Sequence, residues 1–162
     1  MTIVFFTENS VKSDDFILTA YEKYCRATGK KFFSATVDRT EPKPKLYGNG
    51  GENLAEFSLS HSGKFAVCAM SEKPVGVDIQ LKKETCIEDI SERFFGKKIA
   101  DKDDFFDEFS KGEATTKLYG IPLADGLRIR EGKNYRIFDG YSFALCGGDK
   151  PILFNEIKYE QA

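Results

Sequence analysis

The order of the predicted elements indicates an α+β fold. A strand and a helix come first, several strands follow, and two helices precede a final group of strands, so the two kinds of element are grouped along the chain. The 162 residues are enough for one ordinary domain or for two small packed lobes. A hydrophobic content of 41% supports a substantial core, which fifteen Phe and no Trp should make rich in phenylalanine.

The first third of the chain predicts two strands, one helix and a loop. Thr2–Thr7 is β-branched and aromatic, which is typical of a strand. Ser13 is predicted to cap a helix over residues 14–27, whose first turn is acidic and therefore suits the helix dipole. Residues 32–37 are predicted to form another strand. Residues 40–53, which are rich in Pro, Gly and Asn, are predicted to form a loop.

Three short strands are predicted in the middle of the chain, over residues 57–60, 65–70 and 75–80. Apolar residues alternate with polar ones or glycine in the first and third, whereas the second is apolar throughout. Two residues do not fit a plain core: His61, the only histidine, lies between two serines, and Asp78 interrupts the apolar pattern of the third strand. A buried carboxylate is costly unless it is paired or binds a cation. Alternation alone would instead let Asp78 face water.

The second half of the chain predicts two helices and then strands. Thr85 is predicted to cap a helix that runs through Phe94, and a second helix is predicted over residues 101–119. Glu113 and Lys117 are four residues apart and therefore project from one face of that helix, where a surface pair would contribute roughly 0.2–0.5 kcal/mol. The strands predicted after it cover residues 127–130, 135–138, 141–146 and 152–157, with a hairpin turn at Asp139-Gly140.

Charge and cysteine content argue against several classes of protein. The net charge of −2 and the pI of about 5.6 disfavour a broad nucleic-acid surface, which usually needs a basic excess. No run approaches the roughly 20 apolar residues that cross a bilayer, so no membrane association is expected. The cysteines lack C-x-x-C spacing and are predicted to be reduced thiols of a cytoplasmic protein. They are Cys25, Cys68, Cys86 and Cys146.

Several short motifs follow one another along the chain. They are PKPKLYG at 42–48, SHSG at 60–63, AVCA at 66–69, VGVDIQ at 75–80, RFFG at 93–96 and FSKGEATTKLYG at 109–120. In this order and at these spacings they resemble the 4′-phosphopantetheinyl transferases, and most of all the surfactin-synthetase-activating type. Each motif alone is weak, whereas the set, which covers about residues 15–130, is specific.

The resemblance implies both a reaction and a fold. The enzyme would move the 4′-phosphopantetheine arm of coenzyme A to a serine of an apo acyl or peptidyl carrier protein, with Mg²⁺ as cofactor, and release adenosine 3′,5′-bisphosphate. The fold would be two similar small α+β lobes related by a pseudo-twofold axis, with the active site in the cleft between them. The lobes are predicted over residues 1–80, where the N-terminal lobe is shortened, and 81–162. Together they would form one compact two-lobed domain, and a monomer is expected.

The resemblance also implies a metal site and the catalytic residues. Asp78 and Glu113 would hold Mg²⁺, which takes hard oxygen ligands and needs only one or two carboxylates. Gln80 stands where many members have a second Glu, so it would be a weak ligand, directly or through water. Glu113, or a water that it orients, would take the serine proton, and the sequence does not choose between them. Lys117 would neutralise the pyrophosphate and the leaving bisphosphate.

A second set of residues is implied to bind coenzyme A together with Lys117. Lys43, Ser60 and His61 would hold its 3′-phosphate. Lys43 stands between two prolines in a stiff segment, although its position alone is more typical of a solvated loop lysine. Three lysines near the RFFG motif would meet an acidic helix of the carrier protein, or would form a solvated face. They are Lys97, Lys98 and Lys102.

Two further hypotheses remain open, and the first is based on departures from the family pattern. The departures are Gln80 for Glu, Ile99 for Glu, Phe109 for Trp and Gly112 for Lys. They motivate a non-catalytic relative that binds coenzyme A or a carrier protein without turnover. The other hypothesis disregards the resemblance and predicts a small α+β interaction module with a solvated Asp78 and a surface Glu113–Lys117 pair. The two carboxylates would then lie far apart.

Overall fold

In the computed structural model, which describes residues 1–8, 11–83 and 87–159, the chain has the predicted α+β architecture. Within these residues nine strands form two sheets, accompanied by four helices. In chain order the elements are β1 (Thr2–Thr7), α1 (Ser13–Thr28), β2 (Ala35–Asp38), β3 (Lys45–Gly48), β4 (Asn53–Ser62), β5 (Phe65–Ser71), β6 (Val75–Leu81), α2 (Ile87–Phe95), α3 (Lys102–Tyr119), α4 (Leu123–Ile129), β7 (Lys133–Asn134), β8 (Tyr141–Gly147) and β9 (Ile152–Glu156). None of these helices is long and apolar enough to cross a membrane.

The larger sheet has the strand order β2-β3-β4-β5-β1-β9 and packs against α1. Neighbouring strands are antiparallel except β1 and β9, which run parallel. The core residues between sheet and helix include Phe16, Ile17, Ala20, Tyr21 and Tyr24 of α1 and Ile3, Phe5, Phe57, Cys68 and Met70 of the sheet. The helical spacing of the α1 residues is the pattern that predicted this helix from the sequence.

The smaller sheet has the order β6-β8-β7, and α3 packs on β6 and β8. The close approach of α3 to β6 depends on Gly76. A Cβ atom there would lie 2.1 Å from the carbonyl oxygen of Ala114 and 2.7 Å from the backbone nitrogen of Leu118. A side chain at this position would therefore push α3 away from β6, together with Glu113 and Lys117.

Serine side chains of β4 join the two sheets along the edge of β6. Three serines that alternate along β4 accept hydrogen bonds from backbone N–H groups that alternate along β6. The pairs are Ser58 with Val77 at 3.0 Å, Ser60 with Ile79 at 3.1 Å and Ser62 with Leu81 at 2.9 Å. This serine ladder (Ser58, Ser60 and Ser62) takes the place of strand pairing between β4 and β6, so it fixes the register of one sheet against the other.

Two predictions for the first third of the chain are wrong in detail. The N-cap of α1 is Lys12, which makes no side-chain capping bond, and Ser13 is the first helical residue. The predicted loop over residues 40–53 contains β3, which pairs with β2 and β4. Its proline and glycine content reflects the turns on either side of this short strand.

Two strands predicted for the last third are also wrong. Residues 127–130 belong largely to α4 and its C-cap, because a short apolar run does not distinguish a strand from one turn of a buried helix. Residues 135–138 form no regular strand and follow the short β7, although the backbone N–H of Tyr135 still donates to Phe143 on β8. The turn at Asp139-Gly140 is present, with the Tyr141 N–H donating to the Phe138 carbonyl. The predicted Thr85 cap and Cys86 lie outside the described residues.

Candidate active site

A cavity of about 540 Å³ lies where β4, β6, α3 and the segment before β3 meet. Its volume is within the range of roughly 300–1,000 Å³ that is usual for small-molecule sites. All the side chains that the sequence analysis implicates in catalysis, metal binding or coenzyme A binding line this cavity. They are Lys43, Ser60, His61, Asp78, Gln80, Glu113 and Lys117. Residues far apart in the chain are thereby brought together by the contact of α3 with β6 and by the serine ladder.

Asp78 lies on β6 and is only 2% exposed, so the interpretation in which it faces water is wrong. Its Oδ1 accepts hydrogen bonds from Ser60 Oγ at 3.2 Å and from Lys117 Nζ at 3.3 Å, and its Oδ2 accepts one from Gln80 Nε2 at 2.8 Å. Burial raises the pKa of Asp78 to about 6, although Lys117 and Gln80 both favour the ionised form. The carboxylate is thus buried, paired and held by three donors.

Glu113 and Lys117 reach the cavity from α3. Lys117 Nζ lies between the Asp78 carboxylate and the carbonyl oxygen of Leu59, to which it donates at 3.2 Å. Lys117 therefore connects α3 to both β6 and β4. Glu113 is half-buried, and burial raises its pKa while the charge of Lys117 acts in the opposite direction. A carboxylate with a raised pKa is better suited to accept a proton than a solvated one.

Lys43 joins the segment before β3 to β6 and α3. Its Nζ donates to the carbonyl oxygen of Val75, the first residue of β6, at 3.2 Å and to that of Leu118, near the end of α3, at 3.4 Å. Burial lowers the pKa of Lys43. The interpretation of Lys43 as a solvated loop lysine is therefore wrong. His61, at the end of the serine ladder, is exposed at the rim.

Two features of the site were missed by sequence reasoning. Arg39 lines the cavity, four residues before Lys43, but a single arginine in a polar segment gives no signal in the sequence. The contact of Ser60 with Asp78 was missed as well. Its signal is present in retrospect, because serines at every second position of β4 match the alternation of β6 two strands later.

The donor set fits a hard divalent cation. Asp78 and Glu113 supply carboxylate oxygens and Gln80 an amide oxygen, the kinds of ligand that Mg²⁺ takes alongside water and phosphate oxygens. In the part of the chain that the structure describes, no group of three or more His, Cys, Asp or Glu side chains could hold a metal ion. A metal at this site would therefore rest on two carboxylates.

Curated relatives are similar to the chain in sequence, whereas no protein-family model matches it. The 4′-phosphopantetheinyl transferase Sfp of Bacillus subtilis (strain 168) is 30% identical over 141 aligned positions, which cover 66% of this chain and 62% of the relative. The 4′-phosphopantetheinyl transferase ffp of Bacillus subtilis is 30% identical over 139 positions, covering 65% and 62%. These matches confirm the resemblance of the chain to the 4′-phosphopantetheinyl transferases.

A further transferase of this superfamily, also from Bacillus subtilis, is 51% identical over 39 residues, which cover 24% of this chain. The chain spans less than two thirds of the length of the curated relatives that it matches, 62% for the two long alignments.

Gly112 departs from the family pattern for a reason that the structure makes clear. It is buried where α3 contacts α4, and a Cβ atom there would lie 2.5 Å from Leu127 Cδ2 and 3.0 Å from Leu127 Cα. A lysine at this position would therefore require α4 to pack differently.

The three lysines near the RFFG motif differ in their exposure. Lys97 and Lys98 are exposed, whereas Lys102 is half-buried in the first turn of α3.

Proposed function

We propose that the protein transfers the 4′-phosphopantetheine arm of coenzyme A to a serine hydroxyl of an apo acyl or peptidyl carrier protein, with Mg²⁺ as cofactor. The observation that carries this proposal is the convergence of Asp78, Glu113, Lys117 and Lys43 on one cavity. Displacement at the β-phosphorus of a pyrophosphate depends mainly on positioning and on neutralising charge. Two carboxylates for a metal and two lysines for phosphate groups match that requirement.

In this proposal Asp78, Glu113 and Gln80 would hold the metal, which when bound would neutralise charge on the pyrophosphate. Lys117 is placed beside Asp78 and would carry positive charge to the same group of the substrate. The donors from Ser60 and Gln80 hold the Asp78 carboxylate in one orientation before the substrate arrives. Because these groups are fixed by α3 and β6, little reorganisation is needed on binding.

Glu113 is the residue of the cavity best suited to receive the proton of the carrier serine. Its carboxylate lies on α3 one turn before Lys117, and burial raises its pKa, which increases its basicity. Asp78 is less suited, since both of its oxygens already accept hydrogen bonds from the protein.

The three hydrogen bonds that the Asp78 carboxylate accepts from the protein favour one alternative, a relative that binds coenzyme A or a carrier protein without turnover. A carboxylate that Ser60, Gln80 and Lys117 satisfy internally does not need a cation for its charge to be compensated. In this case coenzyme A would bind with little dependence on Mg²⁺, and no carrier protein would be modified.

The decisive experiment is to incubate the protein with an apo acyl carrier protein, coenzyme A and Mg²⁺, and to measure the intact mass of the carrier. We expect a Mg²⁺-dependent gain of one phosphopantetheine group. Glu113→Gln should slow the transfer by about 10²–10⁴-fold, the usual contribution of a general base.

Glu108→Gln is the matched control on the same helix. Glu108 pairs with Lys111 at 2.8 Å and with Arg130 at 3.3 Å and lies away from the cavity lining. Transfer by Glu108→Gln at the rate of the unmodified protein would assign the loss in Glu113→Gln to the site. Absence of transfer to several carriers, together with measurable coenzyme A binding, would replace the transferase proposal by the binding one.

A further inference from the structure

One wall of the cavity carries two carboxylates and a lysine, whereas another carries cations without carboxylates. The two carboxylates, Asp78 and Glu113, come from β6 and α3. The segment between β2 and β3 contributes two cations, Arg39 and Lys43, and no carboxylate to the lining. A bound molecule that meets both walls must therefore have one part suited to a metal or a lysine, and a separate anionic part.

Arg39 is the more available of these two cations. Lys43 Nζ is already shared between two backbone carbonyl oxygens, whereas the Arg39 guanidinium pairs with Asp14, from its Nη2 at 2.7 Å and its Nε at 3.2 Å to the same Oδ1. The side chains of Arg39 and Asp14 are 47% and 56% exposed, and Asp14 does not line the cavity. A surface ion pair of this kind is weak, so a phosphate can compete for the guanidinium.

Coenzyme A has two separate phosphate groups, which match the two walls of the cavity. Its pyrophosphate is the reacting group and must lie at the wall of Asp78, Glu113 and Lys117. Its remaining phosphate, the 3′-monoester on the ribose, is then left for the wall that has cations without carboxylates. A planar guanidinium donates two parallel hydrogen bonds to such a phosphate, which an ammonium does not do.

We propose that Arg39 binds the 3′-phosphate of coenzyme A and makes the site selective for coenzyme A over 3′-dephospho-coenzyme A. This inference rests on the proposed function for the identity of the ligand, and it adds a residue to the binding site. Arg39 leaves Asp14 when the ligand binds, and the carboxylate of Asp14 remains in solvent.

The test is to measure by calorimetry how Arg39→Gln binds coenzyme A and 3′-dephospho-coenzyme A. The unmodified protein should prefer coenzyme A, and Arg39→Gln should lose about tenfold of that preference, through weaker binding of coenzyme A alone. This loss is small for the removal of a charge-assisted hydrogen bond, because the Arg39 guanidinium is partly exposed to solvent.

Two variants separate this role from other effects of the substitution. Asp14→Asn breaks the same ion pair but keeps the cation, so it should retain the preference for coenzyme A. Arg26→Gln removes an exposed arginine that pairs with Glu22 at 2.8 Å elsewhere on α1, and it should bind both ligands like the unmodified protein.

An unchanged preference in Arg39→Gln, or an equal loss in Asp14→Asn, would overturn the role of Arg39 and leave the proposed function intact. Failure of the unmodified protein to bind coenzyme A at all would instead overturn both. Melting temperatures of the three variants equal to that of the unmodified protein would show that the measured differences belong to the site.

Discussion

Asp78 is a buried carboxylate whose surroundings only partly offset the cost of burying a charge. The side chain is almost inaccessible, yet Ser60, Gln80 and Lys117 all direct donors at its carboxylate. Burial outweighs these donors, since the pKa is still raised to about 6. Near neutral pH the residue is therefore ionised at some expense to stability, which a bound cation would reduce.

This balance predicts a characteristic pH dependence for Asp78→Asn. Because the folded pKa of about 6 lies above the ordinary value of 3.8, the carboxyl group stabilises the fold most below pH 4 and loses that contribution as the pH rises through 6. The free energy of unfolding of the unmodified protein, relative to that of Asp78→Asn, should fall by about 2 kcal/mol between pH 4 and pH 7. Chemical denaturation of both proteins at several pH values, without metal, measures it.

Asp103→Asn is a control of opposite sign. Lys82 hydrogen-bonds to the exposed Asp103 and lowers its pKa, so this residue stabilises the fold at higher pH and loses that effect as the pH falls. A difference between the unmodified protein and Asp78→Asn that stays constant from pH 4 to pH 7 would contradict the burial of the carboxylate.

The serine ladder performs two tasks within one element. Each of its hydroxyls accepts a backbone N–H of β6, which would otherwise be buried without a partner. Ser60 alone among the three also donates to Asp78 in the described part of the chain. The Ser60 hydroxyl therefore both joins the two sheets and orients the Asp78 carboxylate, so the packing of the sheets affects the geometry of the site.

Replacing Ser58 and Ser60 by Ala separates these two tasks. Both serines are 5% exposed, and each variant should lose about 1–3 kcal/mol of stability, the cost of a buried N–H left without an acceptor. Ser60→Ala should in addition weaken the effect of Mg²⁺ on coenzyme A binding, whereas Ser58→Ala should leave it unchanged. Denaturation and calorimetry test the two parts, and an equal loss of the Mg²⁺ effect in both variants would refute the positioning of Asp78 by Ser60.

The sequence predicted elements whose pattern is local and missed those decided by distant contacts. Helices α1 and α3 and strand β5 were found because their apolar spacing is long and regular. The sequence predicts a strand over residues 127–130, where the structure has the end of helix α4, because Leu127 is buried against Gly112 of α3. The alternation on β4 was correct, but its polar face is covered by β6, so Ser58 is buried despite its polarity.

The residues of the candidate site likewise fall into those that the sequence predicts and those that only the three-dimensional structure reveals. Asp78, Glu113 and Lys117 were identified by motif, and the structure brings them around one cavity. Arg39 could not be identified, because the position of an exposed side chain in a connecting segment depends on the neighbours that it meets in three dimensions. The exposure of Asp78 was equally undecidable, since only the contact of β6 with β4 and α3 buries it.

Lysine side chains and the serine ladder join the parts of the chain that form the cavity. Lys43, in the segment before β3, reaches the ends of β6 and α3, and Lys117 of α3 reaches back to β4. A ligand that touches both walls would add contacts to this junction and bind only the folded chain. Its binding should therefore raise the stability of the whole molecule.

Coenzyme A is accordingly expected to raise the melting temperature. At about 100 times its dissociation constant it should add roughly 2.7 kcal/mol, which corresponds to about 5–10 °C for a chain of this size. Mg²⁺ should increase the shift further in the unmodified protein and in Glu108→Gln, but not in Glu113→Gln, which lacks a carboxylate for the metal. Differential scanning fluorimetry with each ligand alone and with both resolves the contributions. A shift by coenzyme A that Mg²⁺ leaves unchanged in all three proteins would favour binding without turnover, because the two carboxylates would then have no cation to hold.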